Sequence, residues 1–144
     1  MKIEFEIDEK ETILLLDIIK RFMGQTGNPK VLKALSKIAT EIESDLKVGD
    51  EIFKRLRYRL APYTNGNKII PESNMKIYLG INENFLTRPG GLEREASYLL
   101  KNIVNKYKPD YDLRKLKRVP LTEIKKCKIV SEVVSLIQSQ YEKL

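Results

Sequence analysis

The sequence predicts an α+β fold: one globular domain over residues 1–144, with four to five helices packed on a small sheet of two or three strands. Three observations predict it. Leu92, Ala96, Leu99, Leu100, Ile103 and Tyr107 recur at helical spacing behind the turn Pro89-Gly90-Gly91. Met1, Ile3, Phe5 and Ile7 alternate with Lys2, Glu4, Glu6 and Asp8, the two-residue period of a half-buried strand. Met75, Ile77, Leu79 and Ile81 alternate in the same way and offer that strand a neighbour. A chain of 144 residues suits one domain that folds on an ordinary core, without staples.

Taken in order, Asp8 followed by Glu11 suits a helix cap. The segment Ile13 to Met23 is so apolar that its helix has to be covered on most sides, by core or by a protein surface such as a second copy. Gly24, Gly27 and Asn28 then break the chain, and Pro29 suits the first turn of the next helix. Val31, Leu35, Ile38, Ile42 and Leu46 define that helix, which is expected to stop at Gly49. Asp50 to Leu60 reads as a separate helix capped by Asp50 and ended by Pro62, with Ile52, Phe53, Leu56 and Leu60 inward. Read as a strand instead, it puts Phe53, Arg55, Arg57 and Arg59 on one face; the helix is favoured. Turn residues from Pro62 to Asn74 enclose a short extended piece at 68–70 and lead to the strand at 75–81. Val130, Val133, Val134, Ile137 and Tyr141 mark a last helix, beginning near Thr122 or, if 122–130 is a strand, near Ser131.

Composition narrows the function. With 33% charged residues and no apolar run of membrane-spanning length, the expectation is a cytoplasmic protein with solvated helix faces and no membrane contact. The absence of histidine removes histidine-based nucleophilic and acid–base sites and histidine-ligated zinc. No cofactor and no metal are expected. Cys127, alone and flanked by Lys125, Lys126 and Lys128, reads as structural, although those lysines could lower its pKa. The charge is uneven. Residues 1–50 hold 8 Lys and Arg against 10 Asp and Glu, a balance of −2, whereas residues 51–144 hold 19 against 10, a balance of +9. Such a basic segment fits a polyanionic partner, nucleic acid first.

The candidate contacts interleave cations with an aromatic side chain: Arg55, Arg57, Tyr58 and Arg59, then Arg114, Lys115, Lys117, Arg118, Lys125 and Lys126. A second candidate is an anion site at Arg88, Gly90 and Gly91, where the first N–H groups of the helix at 92–107 are accessible. The sequence is therefore read as a small basic binding protein, non-enzymatic, whose partner is DNA or RNA. The alternative is a regulator or inhibitor of the kind found in phages and other mobile elements, acting on a protein partner or a phosphorylated small ligand. A homodimer through Ile13–Met23 belongs to that alternative.

Two weaker patterns are present. Residues 29–47 and 50–60 could form a helix pair with 68–81 as its wing, as in winged helix-turn-helix proteins. Pro109-Asp110 and Glu123-Ile124-Lys125, with Glu93 and Glu95 on the preceding helix, resemble in spacing the PD-(D/E)xK nuclease superfamily. The resemblance implies Mg²⁺ held by Asp110 and Glu123, with Lys125 supporting the attacking water. The chain departs from that pattern in leaving no room for the first core strand. The site also requires a strand over 122–130, since a helix would turn Glu123 and Lys125 about 200° apart; the helix is expected there, and hence no nuclease.

Overall fold

The computed structural model describes residues 9–144, and the regular elements among them are helical. They are α1 (Glu9–Met23), α2 (Pro29–Leu60), α3 (Glu83–Thr87), α4 (Leu92–Tyr107), α5 (Leu121–Ile124) and α6 (Val130–Glu142), with single 3-10 turns at Ala61–Tyr63 and Leu113–Lys115. No strand occurs among the described residues, so the expected α+β fold is corrected to an all-helical one. The strand expected at Met1–Asp8 and the cap at Asp8 lie outside the described residues. No described helix is long and apolar enough to cross a membrane. The chain divides into two compact units, Met1–Lys47 and Val48–Leu144.

In the first unit α1 and the beginning of α2 are joined by a short turn. Asn28 caps α2 through its side-chain oxygen, which accepts from the backbone N–H groups of Lys30 (3.0 Å) and Val31 (3.4 Å), and Pro29 fills the first helical position as expected. Lys20 Nζ meets Glu43 at 2.5 Å and ties the two helices. Among the described residues here burial is thin, confined to Ile19 and Ala39 and, more partially, to side chains such as Leu16, Leu35 and Ile42.

The second unit holds the main core. Val48, Ile52, Leu56 and Leu60 recur every four residues on α2 and are all buried. They join Leu92, Ala96, Leu99, Leu100, Ile103 and Val104 of α4 and Val130, Val133 and Ile137 of α6 in one apolar cluster. Asp50–Leu60 is therefore helical, as favoured, but it is not a separate helix. α2 runs unbroken through Gly49 for 32 residues. A Cβ there would stand 2.9 Å from the Gln138 side-chain oxygen on α6, the far end of a flexible side chain that can swing aside, so the packing does not require the glycine. The same continuity removes the helix pair that a winged helix-turn-helix would need.

Residues 75–81 form turns in place of the expected strand. The Asn74 carbonyl accepts from the backbone N–H groups of Tyr78 (3.1 Å) and Leu79 (3.0 Å), its side chain accepts from that of Ile77 (2.8 Å), and Gly80 has a positive φ of 67°. Met75, Leu79 and Ile81 still reach the core, while Ile77 is 83% exposed. With no neighbouring strand to satisfy the backbone, the Asn and Gly turn chemistry decides the local path. One antiparallel bridge, Asn74 with Ile129, is all the pairing this segment makes among the described residues. At 122–130 the expected alternatives resolve into the short α5 and a turn, followed by α6 from Val130. Glu132 reaches back to accept from the N–H groups of Lys128 and Ile129, both at 3.0 Å, and so fixes that start.

This arrangement separates two substitutions of similar chemistry. Leu99→Ala, in the core of the second unit, is expected to destabilise the protein by about 2–5 kcal/mol in urea unfolding. Ile77→Ala is expected to change stability by no more than about 0.5 kcal/mol, where a strand reading would bury it.

Candidate nucleic-acid interface

The first turn of α4 organises the basic residues of the second unit. Glu93 and Glu95 lie there, 8% and 9% exposed, close to the unpaired N–H groups that favour negative charge at a helix start. Each is met by an arginine from elsewhere in the chain. Arg118 grips Glu93 with two hydrogen bonds, from Nε at 2.7 Å and Nη2 at 2.9 Å. Arg59 donates from Nη1 to Glu95 at 2.6 Å and lies over the Tyr98 ring, 4.3 Å from its centroid. The C-terminal end of α2 and the basic segment 114–118 are thus both anchored to one turn of α4.

A second carboxylate, Glu51, gathers Arg55, Lys106 and Tyr107. Arg55 donates from Nε (3.2 Å) and Nη2 (3.0 Å) and Lys106 from Nζ (2.6 Å) to one oxygen, while the Tyr107 hydroxyl donates to the other. These bonds, Lys106 first and then Tyr107, hold the Glu51 carboxyl at about 2, well below its ordinary 4.5. In return the carboxylate raises the pKa of both Lys106 and Tyr107.

The candidate cations consequently fall into two groups. Arg55, Arg59 and Arg118 are paired as described, Arg114 binds Asp112 at 3.0 Å, and Lys126 is 3.5 Å from Glu123. Arg57, Lys115, Lys117 and Lys125 are exposed and make no ion pair among the described residues. Lys54, Arg57 and Tyr58 share one face of α2 by their spacing of three and four residues, and Tyr58 is 82% exposed. The Arg57 guanidinium lies 5.6 Å from the Phe53 ring centroid and keeps its hydrogen-bond donors for other partners. Lys54 belongs to this face through its spacing. Glu51, Lys106 and Tyr98 are supporting residues that the sequence reading missed; the four-residue step from Glu51 to Arg55 was the one available signal.

At the glycine turn, Arg88 and Gly90 are exposed and Gly91 is buried. Gly90 takes a positive φ of 84°, and a Cβ on Gly91 would collide with the Phe85 carbonyl oxygen, so both glycines are required by the turn itself. Cys127 departs from the effect expected of its lysines. Burial, then Glu132 and Glu123, push its thiol up to about 11.

The nuclease resemblance finds no support in the geometry. Glu123 lies on α5 and Lys125 follows it in a helical turn, so the required strand is absent, and Glu93 and Glu95 are committed to arginines. Among the described residues no cluster of three or more Cys, Asp or Glu side chains could hold a metal ion. No protein-family model, curated protein or solved structure matches this chain.

The Glu51 cluster predicts an acid-sensitive stability. A carboxyl whose folded pKa lies below its unfolded value contributes fully above about 4.5 and loses that contribution as pH falls toward about 2. Glu51→Gln is expected to lower stability at pH 7 and to flatten its fall between about pH 4.5 and pH 2, measured by urea unfolding across that range.

Proposed function

We propose that this chain is a non-enzymatic nucleic-acid-binding protein of the cytoplasm, contacting its partner through the Lys54, Arg57 and Tyr58 face of α2 and the lysines at 115, 117 and 125. The carrying observation is that face: an aromatic side chain 82% exposed, with Lys54 one turn before it and Arg57 next to it, neither ion-paired among the described residues. An exposed tyrosine offers a stacking surface to an unpaired base, and the flanking cations meet the phosphates on either side. The paired arginines serve a different end. Arg59 and Arg118 hold the segments that carry these side chains, so charge reversal at either would disturb the fold along with binding.

The test is fluorescence anisotropy with labelled single-stranded DNA, RNA and duplex DNA over a range of salt. Lys54→Glu with Arg57→Glu is expected to weaken binding by about tenfold or more and to reduce the salt dependence by roughly two phosphate contacts. Tyr58→Ala is expected to cost about 1–3 kcal/mol on single strands, with little effect on duplex. Absence of binding at low salt, or binding indifferent to the double charge reversal, would overturn the proposal.

A further inference from the structure

The water-facing side of α4 carries no acid. Its exposed residues are Arg94, Tyr98, Lys101, Asn105 and Lys106, while both of its carboxylates, Glu93 and Glu95, are buried. Arg94, Tyr98, Lys101 and Asn105 follow one another at steps of four, three and four residues, so they form a single stripe along the helix. Lys101 makes no ion pair among the described residues, and Arg94 comes no nearer than 4.0 Å to Glu95, with its side chain 66% exposed. Lys106 lies beside the stripe and is held by Glu51 at 2.6 Å.

The tyrosine within this stripe is held as a platform. Tyr98 is 52% exposed, and the Arg59 guanidinium covers one face of its ring, 4.3 Å from the centroid, while its 2.6 Å bond to Glu95 keeps it there. A cation on one face draws electron density from the ring and favours an electron-rich base on the other. Arg94 stands about 6 Å before Tyr98 along the helix axis and Lys101 about 4.5 Å after it, positions suited to the phosphates on either side of one nucleotide. We infer, building on the nucleic-acid reading above, that this stripe is a second contact for single-stranded nucleic acid: an unpaired base stacks on the open face of Tyr98, and Arg94 and Lys101 take the flanking phosphates. Arg59 links this contact to the face on α2, since it directly follows Tyr58 in the chain and lies over the ring of Tyr98. An acidic protein segment would be drawn by the cations alone and would gain nothing from the ring.

Tyr98→Trp gives the full chain its sole tryptophan and serves as the probe. Titration with an unlabelled single-stranded oligonucleotide at low salt is expected to quench its emission, and an abasic strand or polyglutamate of equal length to leave it nearly unchanged. In anisotropy, Tyr98→Ala is expected to weaken single-strand binding by roughly 5- to 100-fold with helicity unchanged by circular dichroism, and Tyr98→Phe to keep it. Arg94→Gln with Lys101→Gln is expected to lower the slope of log K against log salt by about 1.4, the value of two phosphate contacts. Binding that falls with Lys54→Glu and Arg57→Glu yet ignores Tyr98→Ala would overturn this site and leave the α2 face standing. Quenching by polyglutamate or the abasic strand equal to that by the intact strand would overturn the stacking in the same way. No binding of any nucleic acid at low salt would overturn both.

Discussion

Burial of one face of α4 is the constraint from which the second unit follows. Leu92, Leu99, Leu100 and Ile103 leave at most 1% of their surface to water, and α3, α5 and α6 all pack on this helix. The same helix carries two nearly buried carboxylates at its start. A charge there is tolerable only when paired, so Glu93 and Glu95 each require a guanidinium from outside the helix. Hydrophobic burial thus sets where α4 lies, and the arginine pairs fix which distant segments come to its first turn.

That division of labour explains why a chain with net charge +7 does not present all of its charge to solvent. Arginine predominates in the pairs with buried carboxylates because its planar fork can satisfy two acceptor positions at once. The cations left facing water without an ion pair among the described residues are mostly lysines, together with Arg57 and Arg88. Held and free cations differ in kind: the first secure backbone segments, and the second make up an electrostatic surface.

Part of this was legible in the sequence. The spacing of Ile52, Leu56 and Leu60 identified a helix at 50–60, Pro29 marked the start of α2, and the periodic face of α4 placed its core residues. Two local signals misled. The alternation at 75–81 follows from a chain that touches the core at Met75, Leu79 and Ile81 as it turns, and the Asn74 and Gly80 turn signals were the better guide. Gly49 resembles a helix stop because glycine commonly is one, whereas here α2 continues through it and buries Ile52, Leu56 and Leu60 beyond it. The candidate interface residues were harder to sort. Arg59 meets a carboxylate 36 residues away and Arg118 one 25 residues away, so no local window shows that these cations are spoken for. The common face of Lys54, Arg57 and Tyr58 depends only on helical spacing, but the sequence grouped Arg55, Arg57, Tyr58 and Arg59 instead.

The state of Cys127 has a practical consequence. A thiol with a pKa of about 11 is almost wholly protonated near neutral pH, and half-burial shields it further. As the chain's sole cysteine it leaves little background for thiol-directed probes. A cysteine introduced on an exposed helix face would therefore be labelled selectively in the otherwise native protein, giving a reporter of distance or environment without first removing the natural residue.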